Sequence, residues 1–140
     1  MKQKLILFDV DGTLVTRDRV HDICFSVGFR KVIGIDVNVI EIYGVNSGKT
    51  VRSIVSDILE KKGFTGNEVL SKIDDVLDDE MVEYYEEKIE SDQSLESVPH
   101  VMELLAELER RGCVLGLVTG NVERIARLKL EKVGLLDFFR

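Results

Sequence analysis

Two aspartates stand two positions apart where a short apolar run ends. Leu5–Phe8 form the run, and the polar segment Asp-Val-Asp-Gly-Thr from Asp9 to Thr13 follows it directly. A buried carboxylate is costly and two neighbouring carboxylates repel each other, so a cation is expected beside Asp9 and Asp11. Mg²⁺ is the expected ion, because proteins hold it with one or two carboxylates together with substrate phosphate oxygens. The spacing therefore predicts a metal-assisted phosphate site.

A second apolar run, about 100 residues later, also ends in a polar loop. Val114–Val118 is followed by Thr119, Gly120 and Asn121. If both runs are parallel strands of one sheet, their ends lie at the same edge, where open α/β sheets bind ligands. We therefore expect this loop to face the two aspartates.

The elements around these runs favour an α/β fold. Apolar residues recur at helical spacing before the second run, and another amphipathic pattern follows it, beginning at Asn121 and ending at Gly134. Strand, helix, strand, helix is the order typical of a parallel sheet. The pattern predicts that both polar loops are carried by such a sheet.

The stretch between the two runs is too long to be one crossover, which needs about a dozen residues or a few more. Its apolar residues recur at helical spacing throughout. We predict an α/β core formed by residues 1–15 and 95–140, and an inserted helical-bundle cap domain formed by residues 16–94. Hinges are expected near Val15–Asp18 and Asp92–Ser97.

Composition excludes some classes of partner. The formal net charge is −7 and the basic residues are scattered, which argues against nucleic acid as a partner. No apolar stretch approaches the roughly 20 residues that span a bilayer, and the N-terminal run is too short for a signal peptide. We expect no membrane partner, a cytoplasmic location, and reduced thiols at Cys24 and Cys113.

The segment from Asp9 to Thr13 resembles the first motif of the haloacid dehalogenase superfamily of phosphatases. Thr119 at the end of the second run resembles the second motif, and a helical insertion after the first motif is similar to a C1-type cap. Within the superfamily the chain is most similar to the phosphoglycolate phosphatase and phosphomutase-like group, from this insertion and from the helix start at Val98–Val101.

The resemblance implies a Rossmann-like parallel sheet and a division of labour in the site. Asp9 would attack phosphorus and form an aspartyl-phosphate, and Asp11 would protonate the leaving oxygen and then activate water. Mg²⁺ would be held by the Asp9 side chain and the Asp11 backbone carbonyl. The phosphoryl oxygens would be bound by Thr119 together with Gly12, Gly120 and Asn121. An Asp at position 11 favours phosphate esters over halides, because a leaving alkoxide needs a proton donor. The implied partner is a small phosphorylated metabolite.

The segment Gly44–Thr50 invites a different interpretation, because Gly-Lys-Thr before a helix resembles a nucleotide-binding P-loop. The spacing fails, since Tyr43 stands where the first glycine is needed. We instead predict a cap loop facing the site, in which Asn46, Lys49 or Arg52 contacts substrate.

One departure from the resemblance bears on activity. Superfamily members carry a third-motif lysine on a later strand and a further acidic motif, but the sequence stops at Arg140. Lys129 and Lys132 lie inside the last predicted helix and are not expected to replace that lysine, and Asp137 precedes the next expected strand. Either the chain is part of a longer polypeptide, which we favour, or it is a truncated, inactive form without measurable turnover.

Two further alternatives belong to other functional classes. A receiver-like signalling domain also accepts phosphate on an aspartate beside Mg²⁺, but it splits its acids between two strand ends and has no helical insertion. A catalytically inactive interaction domain would share the fold without the reaction. Substrate identity, phosphatase against phosphomutase activity, and oligomeric state are left open by the sequence.

Overall fold

The structure, a computed structural model, describes residues 3–38 and 48–139, with the backbone alone for Asp78 and Asp79. The elements in chain order are β1 (Leu5–Phe8), α1 (Arg19–Ile33), α2 (Val51–Lys61), α3 (Asn67–Asp74), a π-helical turn (Asp75–Met81), α4 (Val82–Ile89), α5 (Val101–Arg110), β2 (Val114–Leu117), α6 (Glu123–Lys132) and a 3-10 turn (Leu136–Phe138).

The two strands form a parallel pair. Leu5 lies opposite Val114 and Phe8 lies opposite Leu117. The pairing continues one step beyond β2, where the Val118 N–H donates to the Phe8 carbonyl at 2.8 Å. The predicted α/β class with a parallel sheet is confirmed, and both polar loops leave the same edge of the sheet.

The continuous apolar run Leu5–Phe8 is typical of a strand buried on both faces, but among the described residues β1 is buried on one face only. Leu5 and Leu7 are 62% and 55% exposed. Ile6 and Phe8, which alternate with them, pack against the core. Because successive side chains point to opposite faces of a strand, β1 is covered on one face and open on the other within residues 3–38 and 48–139.

The helices α1 to α4 and the π-helical turn, here called the intervening helices, share an apolar core. Helix α1 packs against the π-helical turn and against α4. The approach is close at Gly28, where an added Cβ would lie 2.9 Å from Met81 Cγ and 3.0 Å from the Val76 carbonyl oxygen. The described part of 16–94 is helical, as its periodicity predicts, while the division of the chain into domains stays a prediction.

Apolar residues recur at helical spacing from Val69 to Tyr84, a pattern typical of one long helix, but this helix is interrupted. It is divided into α3, the π-helical turn and α4. The wider turn changes the register of the residues that follow it, so Tyr85 is fully buried instead of Tyr84. This register places the Tyr85 hydroxyl 3.2 Å from Asp18 Oδ2, to which it donates a hydrogen bond.

The chain leaves the sheet and returns to it at one place. The Thr16 N–H donates to the Glu96 carbonyl at 2.8 Å, and the Thr16 hydroxyl accepts from the Glu96 N–H at 2.9 Å. These contacts join the two segments predicted as hinges, Val15–Asp18 and Asp92–Ser97. The structure fixes their pairing, and hinge motion stays a prediction.

The expectation of reduced thiols is confirmed, since Cys24 and Cys113 are both free cysteines. Within the described parts of the chain, no helix combines the length and apolarity needed to cross a membrane.

Candidate active site

The loop after β1 turns back on itself. The Val10 carbonyl accepts a hydrogen bond from the Val15 N–H at 3.2 Å, and the Gly12 N–H donates to the Val15 carbonyl at 2.8 Å. Gly12 has φ 78°, a left-handed conformation that glycine adopts without a Cβ penalty. Val10 is fully buried, whereas Asp9 and Asp11 both line one cavity. The turn thus presents the two carboxylates on the same side.

The loop after β2 holds its own polar groups in place. The Thr119 hydroxyl accepts from the Asn121 N–H at 3.1 Å, and Asn121 Oδ1 accepts from the Val122 N–H at 2.8 Å. The other end of that amide, Nδ2, donates to Asp11 Oδ2 at 2.8 Å. This contact ties the two polar loops together, as the parallel arrangement of the strands leads us to expect.

The cavity between these loops and the intervening helices measures about 520 Å³. Several residues predicted from the sequence line it: Asp9, Asp11, Gly12, Lys49, Thr119, Gly120 and Asn121. Others were not predicted: Arg17, His21, Phe25, Gly48, Val51 and Ile54. The unpredicted residues come from the intervening helices and the loops beside them, so the cavity has a polar floor and a mixed apolar and basic roof.

Of the three predicted substrate contacts, Lys49 lines the cavity, Arg52 does not, and Asn46 lies outside the described residues. Arg52 lies outside the cavity lining and pairs with Asp74, with 2.7 Å between Nη1 and Oδ1. Its neighbour Val51 faces the cavity, and consecutive helical residues point in different directions. Lys49 lines the cavity and pairs with Asp57.

Lys129 is a buried lysine that sequence reasoning does not include in the site. It is 0% exposed, and its ammonium lies 2.5 Å from Asp11 Oδ1 and 2.9 Å from Asp18 Oδ2. It stands on α6 at helical spacing from the buried Ile125 and Ala126. The signal that could have found it is this position, because a lysine on the apolar face of a helix needs a carboxylate partner.

Asp18 joins the buried lysine to the start of α1. It is the N-terminal capping residue of that helix, and its Oδ1 accepts from the His21 N–H at 2.6 Å. Its Oδ2 contacts Lys129 and accepts from the Tyr85 hydroxyl at 3.2 Å. Asp18 is 1% exposed. One carboxylate thus connects α1, α4 and α6.

A lone histidine near a helix start is typical of the surface or of a helix cap, but His21 in α1 is buried. It is 7% exposed, with its ring 5.4 Å from that of Phe25 and 6.1 Å from that of Tyr85, between centroids. Asp18 caps the helix instead, which leaves His21 to turn inward toward the cavity. Burial, followed by the nearby Lys129 ammonium, lowers the pKa of His21 to about 4, so the imidazole is neutral at pH 7.

Asp11 is charged at neutral pH in this arrangement. Burial raises the pKa of its carboxyl, but the Lys129 ammonium opposes burial, with help from His21 and Asn121, and the pKa falls below its usual range. Its two oxygens accept from Lys129 and Asn121 respectively. Hydrogen bonds to both carboxylate oxygens therefore fix the orientation of the Asp11 side chain.

The donor set fits a hard cation that keeps several other ligands. No cluster of three or more Asp, Glu, His or Cys side chains able to hold a metal occurs among the described residues. The Asp9 carboxylate is exposed at the cavity, while the Asp11 carboxylate is engaged elsewhere. A cation here would take the Asp9 side chain and the Asp11 backbone carbonyl, with water or substrate oxygens completing the shell, as Mg²⁺ accepts.

Gly120 marks the closest approach of the intervening helices to the loop after β2. The Val51 N–H, at the first residue of α2, donates to the Gly120 carbonyl at 2.7 Å. A Cβ added at Gly120 would lie 2.9 Å from the Lys49 carbonyl oxygen and 3.1 Å from Thr50 Cα. Both neighbours are backbone atoms, so they have little room to move.

We predict that Gly120→Ala lowers the free energy of unfolding by about 1–3 kcal/mol, because the added methyl group must displace backbone. Urea denaturation checks this prediction. Gly116→Ala is the matched control, since its Cβ would meet the flexible end of Leu7 at 2.8 Å and not backbone. Equal losses in the two variants would show that the approach at Gly120 is not tight.

A comparison with family models decides the family. The model described as haloacid dehalogenase-like hydrolase matches residues 6–140. The chain belongs to the haloacid dehalogenase-like hydrolase family. The match includes both polar loops and the intervening helices, so the resemblance noted at residues 9–13 and at Thr119 extends over nearly the whole chain.

Curated relatives with named activities include two kinds of phosphatase. The chain is 28% identical over 141 residues to pyrophosphatase PpaX of Oceanobacillus iheyensis, covering 99% of this chain and 58% of that protein. It is 30% identical over 142 residues to a phosphoglycolate phosphatase of Pseudomonas syringae pv. syringae, covering 98% and 48%. The chain thus spans about half the length of these curated relatives.

Three solved structures share the fold of this chain. A hydrolase from Pseudomonas syringae aligns with TM-score 0.69 at 15% identity, covering 94% of this chain and 56% of that one. A predicted phosphoglycolate phosphatase from Haemophilus somnus gives 0.64 at 21% identity, covering 98% and 60%. CbbY from Rhodobacter sphaeroides, in complex with phosphate, gives 0.62 at 19% identity, covering 99% and 61%. At these identities the likeness shows the fold alone.

Proposed function

We propose that this chain carries the nucleophile and the acid–base group of a Mg²⁺-dependent phosphomonoester hydrolase. The observation that carries the proposal is the meeting of two polar loops across one cavity, with Asp9 and Asp11 on one loop and Thr119–Asn121 on the other. Family membership supports the reaction class. The intervening helices, which roof the cavity, act in this proposal as the cap domain of residues 16–94.

In the first half of the reaction, an Asp9 carboxylate oxygen bonds to phosphorus as the ester P–O bond breaks. Asp11, a carboxylate before the ester binds, takes a proton from the monoanionic phosphate group of the ester and gives it to the leaving oxygen, which departs as an alcohol. Asp9 is suited to attack because its side chain is exposed at the cavity. The products of this half are an aspartyl-phosphate and the free alcohol.

In the second half, a water molecule attacks phosphorus and gives a proton to the Asp11 carboxylate. The bond between Asp9 and phosphorus breaks, inorganic phosphate leaves with the proton that Asp11 took from water, and both side chains return to carboxylates. One residue serves as acid and then as base, so each turnover is balanced in protons. The net reaction is hydrolysis of the ester to alcohol and phosphate.

Bound Mg²⁺, held by the Asp9 side chain and the Asp11 carbonyl, would neutralise negative charge between the nucleophile and the phosphate. The phosphoryl oxygens are assigned to the Thr119 hydroxyl and to the Gly120 N–H, because donors preset at these positions favour the charge of the transition state. The Gly12 and Asn121 N–H groups donate to the Val15 carbonyl and the Thr119 hydroxyl, so in this proposal Gly12 and Asn121 shape the two loops around the phosphate. The acidic chain needs such local compensation, since its net charge of −7 repels anions.

The proposed substrate is a small phosphorylated metabolite. The relatives named above are a phosphoglycolate phosphatase and a pyrophosphatase, and both names refer to small anionic phosphates. Arg17 and Lys49 supply basic groups at the roof of the cavity, beside the apolar Phe25 and Ile54. A compact ester with a second anionic group suits this lining.

The test is phosphate release by the complete natural protein from p-nitrophenyl phosphate, phosphoglycolate and pyrophosphate, with Mg²⁺ or with excess EDTA. We expect Mg²⁺-dependent release from at least one of the three, and loss of that release in EDTA. Absence of release from all three with Mg²⁺ present would contradict the proposal. Release that persists undiminished in EDTA would contradict the metal requirement.

A further inference from the structure

The buried contact between Lys129 and Asp11 takes no part in the two reaction steps of the proposed function. A lysine is rarely buried completely, and Lys129 is 0% exposed. Its ammonium contacts two carboxylates, Asp11 Oδ1 at 2.5 Å and Asp18 Oδ2 at 2.9 Å, and lies 5.8 Å from the centroid of the Tyr85 ring. The ammonium of Lys129 thus lies among two carboxylates and an aromatic ring.

The position of Lys129 determines which Asp11 oxygen faces the cavity. Lys129 and Asp18 are both buried, so the Asp11 Oδ1 that contacts Lys129 is turned inward. Oδ2 accepts from Asn121 Nδ2, and Asn121 lines the cavity. Oδ2 is therefore the oxygen available to a group bound there.

We propose that Lys129 is a positioning residue, which holds Asp11 Oδ1 inward so that Oδ2 exchanges the proton with the leaving oxygen and later with water. The inference rests on the proposed function, because it concerns the same reaction. Lys129 touches neither ester nor phosphate in this proposal and acts through Asp11. Without its ammonium, Asp11 loses the contact that fixes its rotamer.

Asp18 holds Lys129 in turn. Its carboxylate is anchored by the His21 N–H at 2.6 Å and by the Tyr85 hydroxyl at 3.2 Å. These contacts come from α1 and α4, whereas Lys129 is on α6 and Asp11 follows β1. The orientation of Asp11 is thereby linked to the seating of the intervening helices on the sheet.

This role has a signature that a purely structural role lacks. Protonation of the leaving oxygen matters greatly for an alkoxide, which is a strong base, and little for p-nitrophenolate, which is a weak one. Misplacing the proton donor should slow the first substrate class much more than the second. A general loss of folded protein or of site geometry would slow both classes alike.

The experiment compares kcat/KM for an alkyl phosphate that the unmodified protein accepts with kcat/KM for p-nitrophenyl phosphate, in the complete protein with Mg²⁺. The main variant is Lys129→Met, which keeps the length and removes the charge. Lys132→Met is the control, since Lys132 is also on α6 but donates to the carbonyls of Ile89 and Glu90. A second comparison sets Asp18→Asn against Asp18→Asn/Lys129→Met. In this pair, loss of Lys129 leaves no unpaired charge at position 18, and asparagine can still cap the helix.

We expect Lys129→Met to lower the ratio of alkyl to aryl kcat/KM by about tenfold or more relative to the unmodified protein. We expect the same drop in Asp18→Asn/Lys129→Met relative to Asp18→Asn. The ratio should stay unchanged in Lys132→Met. If Lys129→Met does not fold, the Asp18→Asn pair decides. Equal slowing of both substrates would overturn the inference and leave the proposed function standing. If the unmodified protein hydrolyses neither ester, the proposed function fails and the inference fails with it.

Discussion

Asp9→Asn should lower kcat for phosphate-ester hydrolysis by about 10⁴-fold or more, since the reaction loses its nucleophile. An amide is a poor nucleophile for phosphorus and cannot contribute charge to a bound cation. The substitution changes few atoms, and Asp9 is exposed at the cavity, so the fold should survive. The measurement is kcat with saturating p-nitrophenyl phosphate and Mg²⁺, with circular dichroism to check folding.

Asp75→Asn is the matched control for that variant. Asp75 begins the π-helical turn, is exposed, and lies outside the cavity lining. It should keep the rate of the unmodified protein within about twofold, as expected for a surface change away from the site. If Asp9→Asn kept more than a tenth of the activity, Asp9 could not be the attacking group.

Lys129→Met should lower the free energy of unfolding by about 3–5 kcal/mol, because removing one partner of a buried ion pair leaves the other charge uncompensated. Asp18 has 1% exposure, and after loss of Lys129 the hydrogen bonds described for its carboxylate come from the His21 N–H and the Tyr85 hydroxyl, which are neutral donors. The double variant Asp18→Asn/Lys129→Met removes that charge and should recover at least half of the loss. Urea denaturation of the four proteins in this cycle measures both effects.

Lys132→Met sets the scale for an ordinary lysine on the same helix. Its ammonium donates to two backbone carbonyls, so its loss should cost about 1 kcal/mol. A Lys129→Met variant as mild as this control would show that the buried pair contributes little. A double variant less stable than Lys129→Met would show that the Asp18 charge is not the source of the loss.

The backbone of the site could be predicted from local sequence. β1 has the predicted bounds, and the loops at Asp9 and Thr119 leave the same edge because the two strands are parallel. Apolar runs and helical periodicity are properties of neighbouring residues, so the sequence displays them directly. The exposure of one face of β1 could not be predicted in this way, because burial depends on which other elements cover the strand.

The groups that sequence reasoning missed lie in the contacts between elements. Lys129 is on α6 and Tyr85 on α4, and they meet only because α4 and α6 pack together. The π-helical turn sets the register that buries Tyr85, and its residues carry no pattern that separates them from an α-helix. His21 turns inward because Asp18 takes the capping role. Each outcome depends on tertiary packing, which a reading of periodicity does not include.

The predicted substrate contacts also show that residue type can be read from the sequence while side-chain direction cannot. Lys49 and Arg52 are both near the start of α2, and both suit an anion by charge. Only their angular positions separate them, since Lys49 lines the cavity and Arg52 pairs with Asp74. Residue type is visible in a sequence, whereas direction depends on where the helix sits.

The central claim is that Asp9 takes the phosphoryl group, and trapping the covalent intermediate tests it most directly. The complete protein is mixed with a phosphorus-labelled ester and Mg²⁺, quenched in acid within one turnover, and mapped by peptide mass spectrometry. We predict one phosphoryl group per chain on the peptide that contains Asp9, and none in Asp9→Asn. Label on a different residue, or phosphate release at full rate with no labelled peptide at any time, would contradict the claim.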